Sequence, residues 1–184
     1  MANPNPPLTP GRAAHLYDQQ IRPMLLDPIE GAAVPVAIFV GGDPGAGTTA
    51  ALQRLRREAR FAEAAPAVIS REILQPFHPA WQQPGGPRNE IPHGVIDRWV
   101  EQLAREAIGK RASLLIGTSM DKPQPLVALA GELQAAGYRV ELVVVATDVE
   151  ASRLGVVTRF ERLLSQGVAS HWMNQEAHSQ AVQA

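Results

Sequence analysis

Residues 36–50 read VAIFVGGDPGAGTTA, an apolar β-branched run, a glycine-rich turn and the opening of a helix. A strand feeding such a loop belongs inside a parallel sheet, with its ligand at the strand's carboxyl end. Gly42-Asp43-Pro44-Gly45-Ala46-Gly47-Thr48-Thr49 keeps the phosphate-loop spacing G-x-x-x-x-G-K-[ST] at every required position but one. Thr48 stands where the lysine belongs. The loop glycines let backbone N–H groups turn inward on phosphate oxygens, and the helix that follows adds positive potential. Thr49 offers the hydroxyl that such loops place on Mg²⁺, but the point charge for the outer phosphates is missing. The plain alternative is a glycine-rich strand-to-helix turn with no ligand.

The rest of the chain repeats the alternation of strand and helix. Apolar runs at residues 36–40, 67–70, 114–116 and 140–146 read as strands, the last apolar except for Glu141 and so expected to be buried over most of its length. Helical periodicity predicts helices over residues 15–26, 93–110, 125–136 and 148–166, with Thr9 or Gly11 opening the first and Asp148 capping the last. Leu52, Leu55, Ala59 and Ala62 also recur at helical spacing. The first ten residues, MANPNPPLTP, read as a disordered lead-in, and residues 78–92 as a long irregular loop. One domain over residues 11–184 is expected, an α/β three-layer unit with a mainly parallel sheet and its ligand crevice at the strand carboxyl ends.

Composition narrows the function. A chain of 184 residues with 45% hydrophobic and 19% charged residues is globular rather than disordered. A net charge of −1 argues for neither nucleic acid nor an anionic membrane as partner. The absence of cysteine excludes disulfides, thiolate catalysis and cysteine metal sites. No signal-like segment or long apolar run is present, so a soluble, cytoplasmic protein is expected.

Several motifs together resemble the zeta toxin family, P-loop kinases of bacterial toxin–antitoxin systems. The likeness extends over roughly residues 15–178. Arg22-Pro23-Met24-Leu25-Leu26 resembles the family's opening helix end, and GGDPGAGTT its GGQPGAGKT loop. VISREILQPFHP is similar to the strand that leads to an aspartate and an HP pair. LLIGTS and AAGYRVELVVVA resemble the segments carrying Glu-Gly-Thr and Ala-Gly-Tyr, and RLGVVTRFERL resembles the arginine-bearing helix. His171-Trp172 and Glu176-Ala177-His178 echo its terminal pattern.

The resemblance implies a kinase-like P-loop domain that uses ATP or GTP with Mg²⁺ to phosphorylate UDP-N-acetylglucosamine, and a small helical antitoxin as partner. It places the general base at Glu72, one methylene longer than the family's aspartate, and a catalytic arginine at Arg159. The nucleotide would sit on residues Gly42 to Thr49, with Thr49 on the metal, and the substrate on Gly117, Thr118 and Ser119. Four departures count against full activity: Thr48 for lysine, His171 for the late arginine, the lost glutamate of Glu-Gly-Thr, and the missing arginine expected shortly after it, where Asp121 and Lys122 stand. Either Gly117 replaces that glutamate, or one residue is deleted and Gly117-Thr118 stay in place. Arg159, Lys122 and Arg71 are the cations available to stand in for the lysine. A degenerate, non-catalytic binding module is the reading of a different class, and a kinase for another small alcohol a third.

Overall fold

The computed structural model describes residues 8–82, 93–119 and 123–165. Its centre is β1 (Val36–Gly42), whose first five residues are all buried. β1 pairs in parallel with β3 (Leu114–Gly117) on one side and β4 (Arg139–Val145) on the other, and β2 (Ala67–Ile69) adds to β3. The strand order is β2-β3-β1-β4. Val40 lies opposite Gly117 and Val143, so the two neighbouring strands finish beside the start of the phosphate loop.

Successive residues of β1 point to opposite faces of a sheet, and the core divides accordingly. Ala37 and Phe39 join a larger core with Leu114 and Ile116, built under α1 (Pro10–Leu16), α5 (His93–Lys110) and α6 (Pro123–Ala135). Val36, Ile38 and Val40 join a smaller one with Leu115, Leu52 and Leu55, the last two from α3 (Thr48–Leu55). The result is the expected three-layer α/β/α arrangement with an all-parallel sheet.

Several expectations need correction. The first helix starts at Pro10, not near His15, because the Thr9 hydroxyl accepts the Arg12 N–H and caps it. It continues through a π turn (Tyr17–Ile21) into α2 (Arg22–Leu25), and Trp99 of α5 donates its indole N–H to the Ala13 carbonyl at 3.3 Å. Leu8 already packs against the larger core; the remainder of the expected lead-in, residues 1–7, lies outside the described residues. α3 stops at Leu55, and Ala59–Phe61 forms a separate 3-10 turn. Arg60 on that turn grips both carboxylate oxygens of Glu141 at 2.8 Å, which accounts for the one acidic residue in β4.

β4 is also less buried than its apolar run suggests. Leu142 is 55% and Val144 58% exposed, because among the described residues β4 pairs only with β1. Ser70 ends β2 by capping α4 (Arg71–Leu74) rather than extending the strand. α6 begins at Pro123, and α7 (Val149–Ser165) starts where Asp148 accepts the Ala151 N–H at 2.8 Å. Of the long loop, residues 83–92 lie outside the described residues, as do Asp121, Lys122 and residues 166–184.

His78 closes the segment after α4. It is 4% exposed, and its Nδ1 accepts the Ala80 N–H at 3.2 Å, so it serves as a turn residue. Burial lowers its pKa from the ordinary 6.5. The unfolded chain therefore takes up this proton first, and the stability His78 contributes is complete above the unfolded value and lost as pH falls. The denaturation midpoint should drop between about pH 7 and 5, and His78→Asn, which retains an acceptor but cannot ionise, should flatten that slope. An unchanged slope in His78→Asn would assign the effect elsewhere.

Candidate functional site

The phosphate loop leaves β1 at Gly42 and closes into α3 at Thr48. Gly45 and Gly47 both hold positive φ, +88° and +97°, a region that side chains rarely enter. A Cβ on Gly47 would meet nothing within 4 Å, so the space over the loop is open there. No side chain caps α3, and the Ala51 N–H is the one that reaches back to the Gly47 carbonyl. The leading N–H groups of α3 thus have no side-chain acceptor, the arrangement a phosphate group fits. Thr49 is exposed on the first turn of α3, and Thr48 is half-buried beside it.

The middle of the loop is not open. Ser152 of α7, fully buried, donates its hydroxyl to the Pro44 carbonyl at 2.6 Å. One turn further on, Gly155 lies directly on Gly45: a Cβ on Gly155 would collide with the Gly45 carbonyl, and one on Gly45 with the Ser152 carbonyl. A glycine inside a helix is unfavourable by ~1 kcal/mol relative to alanine, so its presence here answers to this backbone contact. Neither Ser152 nor Gly155 was among the residues expected from sequence. The signal available was a lone glycine interrupting an otherwise periodic helix.

Two further segments converge on the loop. Thr118, just after β3, donates its N–H to the Val40 carbonyl at 3.0 Å, tying the exit of β3 to the strand that feeds the loop. Gly117 is wedged: a Cβ there would lie 2.8 Å from the Ser70 Cβ and 3.1 Å from Leu52. A side chain at position 117 would therefore require Ser70 to shift. The residue before it, Ile116, is 2% exposed in the larger core and pairs in unbroken register with Phe39 and Ile69. Beyond Ser70, Arg71 donates through Nε to Asp97 of α5 at 2.6 Å and through Nη1 to the Ser119 hydroxyl at 3.3 Å. Glu72 is exposed in the same first turn of α4.

The structure thus gathers residues 42–49, Gly117, Thr118, Ser119 and the Arg71-Glu72 pair at the carboxyl ends of three neighbouring strands. Arg159 is exposed on α7, seven residues beyond Ser152 and so on the same stripe, about 10 Å further along the helix. Phe77 and Trp81 pack against the larger core and pin their segment to it. An open groove of about 520 Å³, lined by Arg98, Glu101, Gln102, Arg105 and Glu106 of α5, contains none of the expected site residues. Its chemistry is that of a solvated helix face.

The family model described as Zeta toxin matches residues 27–184. The chain belongs to the zeta toxin family. It is 31% identical over 136 residues to Toxin PezT of Streptococcus pneumoniae, a match covering 70% of this chain and 51% of PezT. The chain thus spans about half the length of that relative. The solved structure of the PezAT chromosomal toxin–antitoxin system of the same pathogen superposes with a TM-score of 0.74 at 24% identity, covering 86% of this chain and 66% of that one. A Chloroflexus aurantiacus protein provisionally described as a kinase superposes with a TM-score of 0.57 at 16% identity, covering 82% and 76%. Family and fold together make this a P-loop kinase-like domain.

The contact between α7 and the loop reverses an ordinary expectation. Gly→Ala inside a helix normally stabilises by about 0.5–1 kcal/mol. Gly131→Ala in α6, where a Cβ meets nothing within 4 Å, should follow that rule. Gly155→Ala should instead destabilise by about 1–3 kcal/mol, because α7 must lift from the loop. Urea denaturation of both variants checks the sign, and equal stabilisation in the two would remove the contact from the account.

Proposed function

We propose that this zeta toxin family member binds ATP or GTP with Mg²⁺ on its phosphate loop and transfers the outer phosphoryl group, weakly, to a nucleotide sugar such as UDP-N-acetylglucosamine. The observation that carries the reading is the start of α3, left without a side-chain cap beside the open space at Gly47. A glycine-rich turn with no ligand has no need of that opening. Thr49 is the hydroxyl for the metal, which would neutralise phosphate charge when bound. Glu72 is the candidate base for the acceptor hydroxyl, exposed in a turn that opens toward the crevice. Arg159 is a second cation from α7, on the stripe that covers the loop. Thr118 and Ser119 offer hydroxyls to the acceptor, beside the structurally required Gly117.

Activity should be weak for two reasons. Thr48 brings no charge to the transferring group, and losing one such stabilising group lowers the rate by about 10²–10³. The wedged position of Gly117 supports reading it as the glycine of the family's Glu-Gly-Thr, which places Ile116 where the glutamate belongs. No residue need be deleted, and the acceptor loses a carboxylate contact altogether. That same observation favours the second reading, a catalytically inactive module that retains the binding surface. The likeness to PezT supports a small helical antitoxin as protein partner under either reading.

Thr48→Lys separates the two. If the chain is a kinase weakened at the loop, the variant should bind ATP more tightly and phosphorylate UDP-N-acetylglucosamine about 10²-fold faster, measured by calorimetry and a radiolabel transfer assay. Tighter ATP binding without transfer would establish the inactive module. Binding no better than the native chain would show that the loop does not serve phosphate.

A further inference from the structure

We infer that Arg71 is a phosphate-binding cation of this crevice, supplying from the β2 side the charge that Thr48 lacks. The inference rests on the nucleotide-binding reading above. Arg71 follows β2 by two residues, and its guanidinium crosses to the exit of β3, where Nη1 reaches the Ser119 hydroxyl at 3.3 Å. The preceding residue, Thr118, is hydrogen-bonded to Val40 of β1. The Ser119 hydroxyl that the guanidinium touches thus belongs to an exit segment tied directly to the strand that feeds the phosphate loop.

Its chemistry suits the task. A guanidinium carries five N–H donors in a planar fork. Asp97 takes the one on Nε and Ser119 takes one on Nη1, which leaves three with no partner among the described residues. Asp97 holds the group by its Nε edge, so the Nη groups are directed toward the Ser119 loop, and a phosphate accepts two parallel bonds from such a fork. The side chain is 31% exposed, fixed enough to be oriented and open enough to receive a ligand. Of the cations weighed as substitutes for the missing lysine, Arg159 is exposed on α7 and Lys122 lies outside the described residues. Arg71 alone of the three is held against a segment bonded to β1.

The competing role is a clamp that ties α4 to α5 and to the β3 exit, with no ligand. A phosphate at this position belongs either to the outer group of the donor or to the diphosphate of the acceptor nucleotide, and both present anionic non-bridging oxygens to the fork. Calorimetry on the whole chain with ADP, ATP and UDP, each with Mg²⁺, distinguishes all three. Arg71→Ala and Arg71→Lys should leave ADP affinity unchanged and weaken either ATP or UDP by about tenfold or more. Loss confined to ATP assigns the donor's outer phosphate; loss confined to UDP assigns the acceptor. Asp97→Asn should weaken the same ligand by a smaller factor, since it loosens the fork without removing it. Equal losses for all three ligands together with a lowered melting temperature would make Arg71 a clamp and overturn the inference, as would no loss for any. A native chain that fails to bind ADP would overturn the nucleotide reading itself, whereas ADP binding with indifferent Arg71 variants overturns this inference alone.

Discussion

The ligand end of this molecule depends on β1 being bonded in parallel on both sides. A strand buried on both faces can satisfy its N–H and C=O groups only through neighbours in the sheet. β4 pairs with it from Val36 onward and β3 from Ala37 to Val40, and the Ser113 hydroxyl accepts the Val36 N–H at 3.1 Å. Because all the strands run the same way, their carboxyl ends arrive together, and everything that can touch a ligand leaves from that edge. The phosphate loop, the Gly117–Ser119 exit and the Arg71-Glu72 turn are neighbours for this reason, although they are widely separated in the chain. Gly117 shows how tightly the edge is drawn: Ser70 and Leu52, from two different elements, fill the volume its side chain would need.

What was legible in the sequence was whatever depends on local period and on turn chemistry. β1, the phosphate loop, α5 and the parallel arrangement follow from alternation, β-branching and glycine spacing, all of which act within a dozen residues. Thr9, one of the two residues expected to open the first helix, does cap it, and only the body of the helix was drawn inward by the apolar stripe beginning near Leu16. The exposure of Leu142 and Val144 was not legible, because an apolar run reports what could be buried and not whether a neighbour covers it. Contacts between distant segments were out of reach for the same reason. Nothing local to Ser152 announces that its hydroxyl will meet Pro44, and nothing local to Arg71 announces Asp97 or Ser119.

The departures from the family pattern are unequal in kind. Ile116 is committed to the larger core, in register with strands on both sides, and a carboxylate there would be buried among apolar neighbours at a cost of several kcal/mol unless the strand end rearranged. Thr48 is different. It is half-buried at the first turn of α3, on the edge of the open space, where a longer side chain has somewhere to go. The substrate-side loss is thus built into the packing, whereas the loop-side loss is confined to one side chain. Chemistry at such a site turns on whether positive charge reaches the phosphates by another path, since phosphoryl transfer asks little of a protein beyond positioning and charge.

The glycines of the loop carry unequal weight for the same question. A retained phosphate loop is ordinarily taken as a sign of retained nucleotide binding, yet Gly45 has a second reason to be glycine: α7 occupies the volume of its side chain. Gly42 is similar, because a Cβ there would come within 2.5 Å of the Val145 carbonyl on β4. Both would persist in a scaffold that had lost its ligand, simply to keep α7 and β4 in place. Gly47 has no such packing duty. Nothing lies within 4 Å of where its Cβ would be, and what it provides is a left-handed turn that frees the start of α3. The case for phosphate therefore rests on Gly47 and the uncapped N–H groups beside it, not on the completeness of the motif.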